Sequence, residues 1–168
     1  AYLSAQDEVG ALIGATVKLS EPSYSLKSKE EAFDDILLKQ VISKIDVRGD
    51  IEGEGCLCVE LKAAIRLGGT LIMLPQSELD EVVAEENYSE ETEDSYGEIA
   101  NIIAGAYSKS FEEMFPKNCR LIRKEQEIVV PAKIEIDSDE PVADQTYFVV
   151  THAMSMNDSD IGSMIFLL

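Results

Sequence analysis

Asp94, Glu98, Asn101, Gly105 and Ser108 are spaced four, three, four and three residues apart. On a helix that spacing sets them on one stripe, while Ile99, Ile102, Ile103 and Ala106 fall on the opposite, packing side. The stripe carries a carboxylate and a carboxamide one turn apart. A carboxylate can pair with a cation on a partner. A carboxamide has one acceptor and two donors and can hold and orient a water. Orienting an attacking water is what some phosphoryl-transfer sites ask of Gln or Asn. Gly105, on the next turn, would let another molecule's backbone come close. The competing reading is plain: Glu and Asn three apart on an exposed helix are common, and most such pairs are solvated surface.

The stripe needs a helix to hold it. The pattern predicts one from Asp94, which stands where a cap would, to about Met114, ending near Pro116. Before it, residues 78–98 carry ten Asp or Glu, and no Lys or Arg occurs between Gln76 and Ser108. This reads mostly as a solvated acidic face. A surface helix is expected over Ser77–Asn87 with Ser77 as cap. A first helix is expected over residues 3–17, capped by Ser4. Lys27–Phe33 suggests a short helical turn after a turn or edge segment at Ser20–Tyr24.

Val-, Ile- and Leu-rich stretches predict strands at Ile36–Val47 and Gly55–Leu61, joined across Arg48–Glu54. The Arg48-Gly49-Asp50 triplet is read as turn chemistry rather than as a recognition signal. Lys62–Leu67 reads as a helical turn closed by Gly68-Gly69 or as a continued strand, and Thr70–Leu74 as a third strand or buried segment. Later strands are expected at Arg120–Arg123 and Gln126–Ile136, split by Lys124-Glu125, and at Tyr147–Met156 and Ser163–Leu168.

The chain of 168 residues is 45% hydrophobic, enough for one domain with a sizeable core. Its net charge of −19 excludes the positive footprint that nucleic acids and anionic membranes require. The three cysteines, Cys56, Cys58 and Cys119, show neither a disulfide framework nor zinc spacing and read as buried thiols. The single His152 has no catalytic partner near it in sequence and reads as structural. These features point to a reducing cytoplasm. No signal peptide or apolar run of spanning length is present. The chain starts without Met and stops inside an apolar run, the pattern of a domain excised from a longer protein.

The sequence is built twice. Glu8–Ala15 matches Glu98–Gly105 at an offset of 90, with Ser4 where Asp94 stands. Ile42–Leu61 matches Val149–Leu168, aligning Gly55 with Gly162. Each half reads as a helix followed by a hairpin, about 1–75 and 76–168. The expected fold is one α+β domain, residues 1–168, with a pseudo-two-fold internal repeat and long helices on one face of an antiparallel sheet. The copies are unequal: Ala11 stands where the second half has Asn101.

Those residues resemble the signature of the bacterial chemotaxis phosphatases CheC, CheX and FliY. The signature is Asp or Ser, three residues, Glu, two residues, Asn, then a Pro about twenty-two residues later. Asp94, Glu98 and Asn101 fit it. Ser4 and Glu8 fit in the other half, and Ala11 breaks it. The internal repeat and the Gly-Asp-Ile-Glu-Gly loop are also similar to that family. The resemblance departs at the proline: Pro116 comes early and Pro131 late, which an insertion around Lys117–Gln126 would explain.

The resemblance implies a phosphatase acting on the aspartyl-phosphate of a CheY-like response regulator. Glu98 would dock on the regulator's active-site Lys, and Asn101 would orient the attacking water. Asp94 and Gly105 would belong to the docking face, and Ser4, Glu8 and Ala11 would mark a degenerate second site. The Mg²⁺ would belong to the regulator, so no metal or cofactor is expected on this chain. Two other readings stand beside it: a regulator-binding or flagellar-switch-type module without hydrolysis, and a structural domain whose stripe is only surface. Exposed edge strands would permit a homodimer by sheet pairing.

Overall fold

The computed structural model describes all 168 residues. In chain order it contains α1 (Tyr2–Ile13), β1 (Val17–Leu19), β2 (Ser23–Ser28), α2 (Lys29–Phe33), β3 (Gln40–Gly49), β4 (Gly53–Glu60), α3 (Leu61–Leu71) and α4 (Gln76–Ala84). Then follow α5 (Glu90–Met114), β5 (Cys119–Val129), a 3₁₀ turn at Pro131–Lys133, β6 (Thr146–Met156) and β7 (Ser159–Leu167).

All seven strands join one antiparallel sheet in the order β1-β6-β7-β4-β3-β5, with β2 continuing the edge along β6 beyond β1. The order reads the same from either end when β3–β4 is exchanged for β6–β7 and the β1/β2 edge for β5. At the centre, Cys58 of β4 faces Ile165 of β7. Aligning Gly55 with Gly162 equates those two residues, so the pseudo-axis passes between them. The edge strands are exchanged: β1 and β2 pair with β6, while β5 pairs with β3.

Helices α1, α3 and α5 cover one face, closing a core that includes Val9, Leu67, Ile99, Val41, Leu57 and Phe166. A smaller core lies on the other face, where Phe33 of α2 and Val142 meet Ile42, Cys58 and Tyr147. Cys56 to Val59 are therefore buried on both sides of the sheet. That burial is why the strand lacks clean alternation in sequence.

Several element expectations are corrected. Helix α1 stops at Ile13 because Gly14 takes the left-handed conformation (φ 69°), and Val17 then pairs with Met156. Ser4 does not cap α1; its hydroxyl lies inside the helix and bonds Glu8. Ser77 likewise caps nothing, since α4 is entered through Pro75. Thr70–Leu74 is not a strand. Helix α3 runs through Gly68 and Gly69, both buried, and at Gly68 the backbone of α5 comes too close for a side chain.

Residues 119–129 form a single strand, with no inserted loop at 117–126. Lys124 and Glu125 together stand opposite Lys44, a bulge rather than a break. Ile134 and Ile136 lie beyond the strand, since Pro131 opens a 3₁₀ turn. Beneath that segment Lys29 is fully buried. Its Nζ donates to the carbonyls of Glu135 (3.5 Å), Ile136 (3.3 Å), Ser138 (2.5 Å) and Glu140 (3.0 Å).

Candidate functional site

Helix α5 is capped by Ser89, whose hydroxyl accepts from the Thr92 N–H at 3.2 Å, with Glu90, Glu91 and Glu93 in the first turn favouring the helix dipole. It thus starts earlier than Asp94, which lies inside it as an exposed side chain and caps nothing. Tyr96, Ile99, Ala100, Ile103 and Tyr107 are buried against the sheet and α3, leaving Asp94, Glu98, Asn101 and Gly105 on the outer face. A Cβ at Gly105 would meet nothing within 4 Å, so the surface there is open. Ser108 leaves the stripe: its hydroxyl accepts from the Leu121 N–H of β5 at 3.1 Å.

Glu98 has no Lys or Arg nitrogen within 4.0 Å and is free to pair outward. Asn101 is engaged. Arg123 of β5 donates its Nε–H to Asn101 Oδ1 at 2.7 Å. A guanidinium has only donors, so the carboxamide oxygen must face it and the Nδ2 hydrogens point elsewhere. The same guanidinium donates from Nη1 to the Lys124 carbonyl at 3.3 Å. Its Nη2 lies 3.2 Å from where a Cβ on Gly97 would be, so the absence of a side chain at Gly97 lets the group lie against the helix.

Gln126, three residues on, also faces α5. Its amide donates to the Glu93 carbonyl at 3.0 Å and accepts from the Tyr88 hydroxyl at 3.2 Å. Residues three apart on a regular strand point to opposite faces; the extra residue at Lys124-Glu125 brings both to the same one. Behind them Tyr96 is fully buried with its hydroxyl unpartnered, and burial pushes that phenol up.

On α1, the Ser4 hydroxyl donates to Glu8 Oε1 at 2.7 Å, and Ala11 is exposed. This face has the carboxylate and no carboxamide. No group of three or more His, Cys, Asp or Glu is placed to hold a metal ion. No helix is long and apolar enough to cross a membrane. The three cysteines are buried and unbridged. Cys56 and Cys58 lie 3.8 Å apart at sulfur, and their contact together with burial pushes the Cys56 thiol up. His152 is fully buried, its Nδ1 donating to the Ser20 carbonyl at 2.8 Å and its Nε2 accepting from the Tyr107 hydroxyl.

Arg123 is the residue that sequence reasoning passed over. It stood inside an expected strand, as one charge among many. One signal could have found it. Arg123 follows Asn101 by twenty-two residues, the interval at which the resembled signature has its proline.

A repeated α+β fold with a carboxylate–carboxamide stripe on its outer helix is thereby defined, and it has solved counterparts. FliY of Thermotoga maritima superposes with a TM-score of 0.76 at 15% identity, over 98% of this chain and 82% of that one. A chain of the FliG–FliM complex from H. pylori gives 0.74 at 12%, over 99% and 85%. A chain of the CheX–CheY–BeF₃–Mg²⁺ complex from Borrelia burgdorferi gives 0.56 at 15%, over 99% and 94%. The fold is the one these CheC/CheX/FliY-type proteins share. No protein-family model matches the sequence, and no curated protein matches it.

Proposed function

We propose that this chain is a response-regulator-binding module of the flagellar-switch type, working in chemotaxis signalling in the cytoplasm as one domain of two degenerate halves. The bond from Arg123 to Asn101 Oδ1 carries this reading. A water that attacks phosphorus must donate a hydrogen to an acceptor while its lone pair points at the phosphoryl group. In this chain one of the two lone pairs of the only acceptor on the carboxamide is held by a cation of the same molecule. Releasing it costs of order 1 kcal/mol, a charge-assisted bond discounted for exposure. The side chain thus presents two donors and a single remaining lone pair, while Glu98 remains free to meet a lysine on the partner. The higher likeness to FliM, at a TM-score of 0.74, than to CheX, at 0.56, supports the same choice.

One observation favours hydrolysis instead. Glu98 and Asn101 stand exposed one turn apart beside the open surface at Gly105, the arrangement an aspartyl-phosphate phosphatase would use. Docking would then have to draw Asn101 off Arg123 and toward the partner's phosphoryl group. In either case Mg²⁺ belongs to the partner.

The test pairs binding with turnover on a phosphorylated CheY-like receiver in Mg²⁺. The wild type should bind it, Glu98→Ala should weaken binding about tenfold as a docking charge pair is lost, and the receiver's phosphate should decay at its own rate. Acceleration of decay that Asn101→Ala abolishes would replace the binding reading with the phosphatase. Absence of binding to any receiver would remove both.

A further inference from the structure

Resting on the reading just given, we propose that Arg123 reads the phosphoryl group of the docked partner, its guanidinium contacting phosphoryl oxygens so that this face tells the phosphorylated receiver from the bare one.

The chain has four arginines. Arg48 pairs with Asp46, Arg66 with Asp80 and Arg120 with Glu112, each within 3.3 Å. Arg123 alone has no carboxylate within 4.0 Å, in a molecule with 33 acidic residues. It is held by neutral acceptors, the Asn101 carboxamide and the Lys124 carbonyl, so its positive charge is not neutralised. Those bonds use two of its five N–H groups. The remaining three lie on the terminal nitrogens, the fork that matches two oxygens of one phosphoryl group.

Its position is fixed beforehand. Gly97 opens the space, Asn101 clamps Nε, and the bulge after Arg123 anchors the strand to α5 through Gln126. A half-buried guanidinium has already lost part of its water, and a clamped one loses less side-chain freedom on binding. Asn101 gains a role that fits its orientation: with its oxygen on Arg123, its amide hydrogens join the guanidinium as donors. Carboxylate, amide and guanidinium then match the lysine and the phosphoryl group of an aspartyl-phosphate site.

The surroundings decide between a free anion and one carried by a protein. Asp94, Glu98, Glu125 and Glu127 lie on the same helix and strand as exposed acids, and the whole chain carries −19. Such a field repels a diffusing phosphate ion. A phosphoryl group delivered by a docked receiver, with a lysine to meet Glu98, overcomes it.

The experiment is isothermal titration of the full chain with a CheY-like receiver, bare and loaded with beryllofluoride and Mg²⁺, for wild type, Arg123→Gln and Arg123→Lys. Wild type should prefer the loaded receiver, and Arg123→Gln should reduce that preference about tenfold, the value of one charge-assisted contact. Arg123→Lys should recover part of it, keeping the charge and losing the fork. Inorganic phosphate alone should give no heat. Thermal melts report folding; if Arg123→Gln unfolds early, Arg123→Met serves instead, since it keeps an unbranched apolar stem on the strand and removes the charge and the fork. Unchanged preference in a folded variant overturns the role of Arg123 while the binding module stands. Wild-type binding without preference does the same, as does phosphate binding with equal strength in wild type and variant. Wild type that binds neither receiver form brings down the proposed function, and this inference with it.

Discussion

His152 shows how a single side chain can be legible in kind and hidden in consequence. As a lone histidine in a strand it reads as structural, and it is: it joins β6 to the Ser20 carbonyl and to Tyr107 of α5, with the Tyr2 ring tilted against it at 5.4 Å between centroids. Its titration comes only from the packing. Burial holds its pKa below the ordinary histidine value, partly opposed by the Ser20 carbonyl. The unfolded chain therefore binds a proton more readily than the folded one, so stability rises with pH through the interval between the folded pKa and about 6.5. Above that interval the histidine contributes no pH dependence. The wild type should lose more stability between pH 7.5 and pH 5 than His152→Gln, measured as urea midpoints. Taking the difference cancels the carboxylates common to both chains. Parallel pH profiles would show that the histidine does not titrate against folding. Lys29 was not legible at all. A lysine in a polar turn reads as surface, and only the path of residues 135–140 around it makes it a buried cross-link.

At the scale of elements, sequence periodicity located α5 and the outer stripe, because one strong apolar face fixes a helix's rotation whatever its ends do. It failed where tertiary packing overrides local preference. Two adjacent glycines read as a helix stop, yet α3 continues through them because α5 presses against it. A Cβ on Gly68 would lie 2.8 Å from the Thr92 carbonyl oxygen and 3.2 Å from the Tyr96 nitrogen, both backbone atoms that cannot swing away. Alanine improves helix propensity by about 1 kcal/mol, but overpacking typically costs about 1–3 kcal/mol. Gly68→Ala should therefore be net destabilising, by up to about 2 kcal/mol in denaturant unfolding. A stabilised variant would mean that α3 and α5 are free to separate and that the approach does not govern the helix. The bulge in β5 escaped for a related reason. Lys124-Glu125 looked like a gap between strands because the charges interrupt the apolar signal, whereas the extra residue is what turns Gln126 toward α5. The site thus depends on a strand irregularity that composition alone cannot distinguish from a loop.

At the scale of the whole molecule, the repeat was visible in sequence but its connectivity was not. Matching segments at two offsets say that two halves exist; they do not say which strand pairs with which. In the structure each half gives its first strands to the other's hairpin, so β1 and β2 complete the second half's edge and β5 completes the first's. The candidate site on α5 is affected directly, since β5, which carries Arg123, is paired with β3 from the opposite half. A fragment ending at residue 75 would retain the β3–β4 hairpin and α3 but lose the partners of β1 and β2, the β7 neighbour of β4 and the α5 cover of the core. A fragment beginning at residue 76 would lose the β3 support of β5. Hairpins without sheet neighbours are marginal in water. Each fragment alone should therefore show no cooperative melt by far-UV circular dichroism, whereas an equimolar mixture should assemble and recover one. A cooperative transition in either fragment alone would show that a half is self-sufficient and that strand exchange is not what unites the domain. Recovery only on mixing would place the interdependence of the halves beneath the candidate site itself, because β5, which carries Arg123, is paired along its length with β3 of the first half.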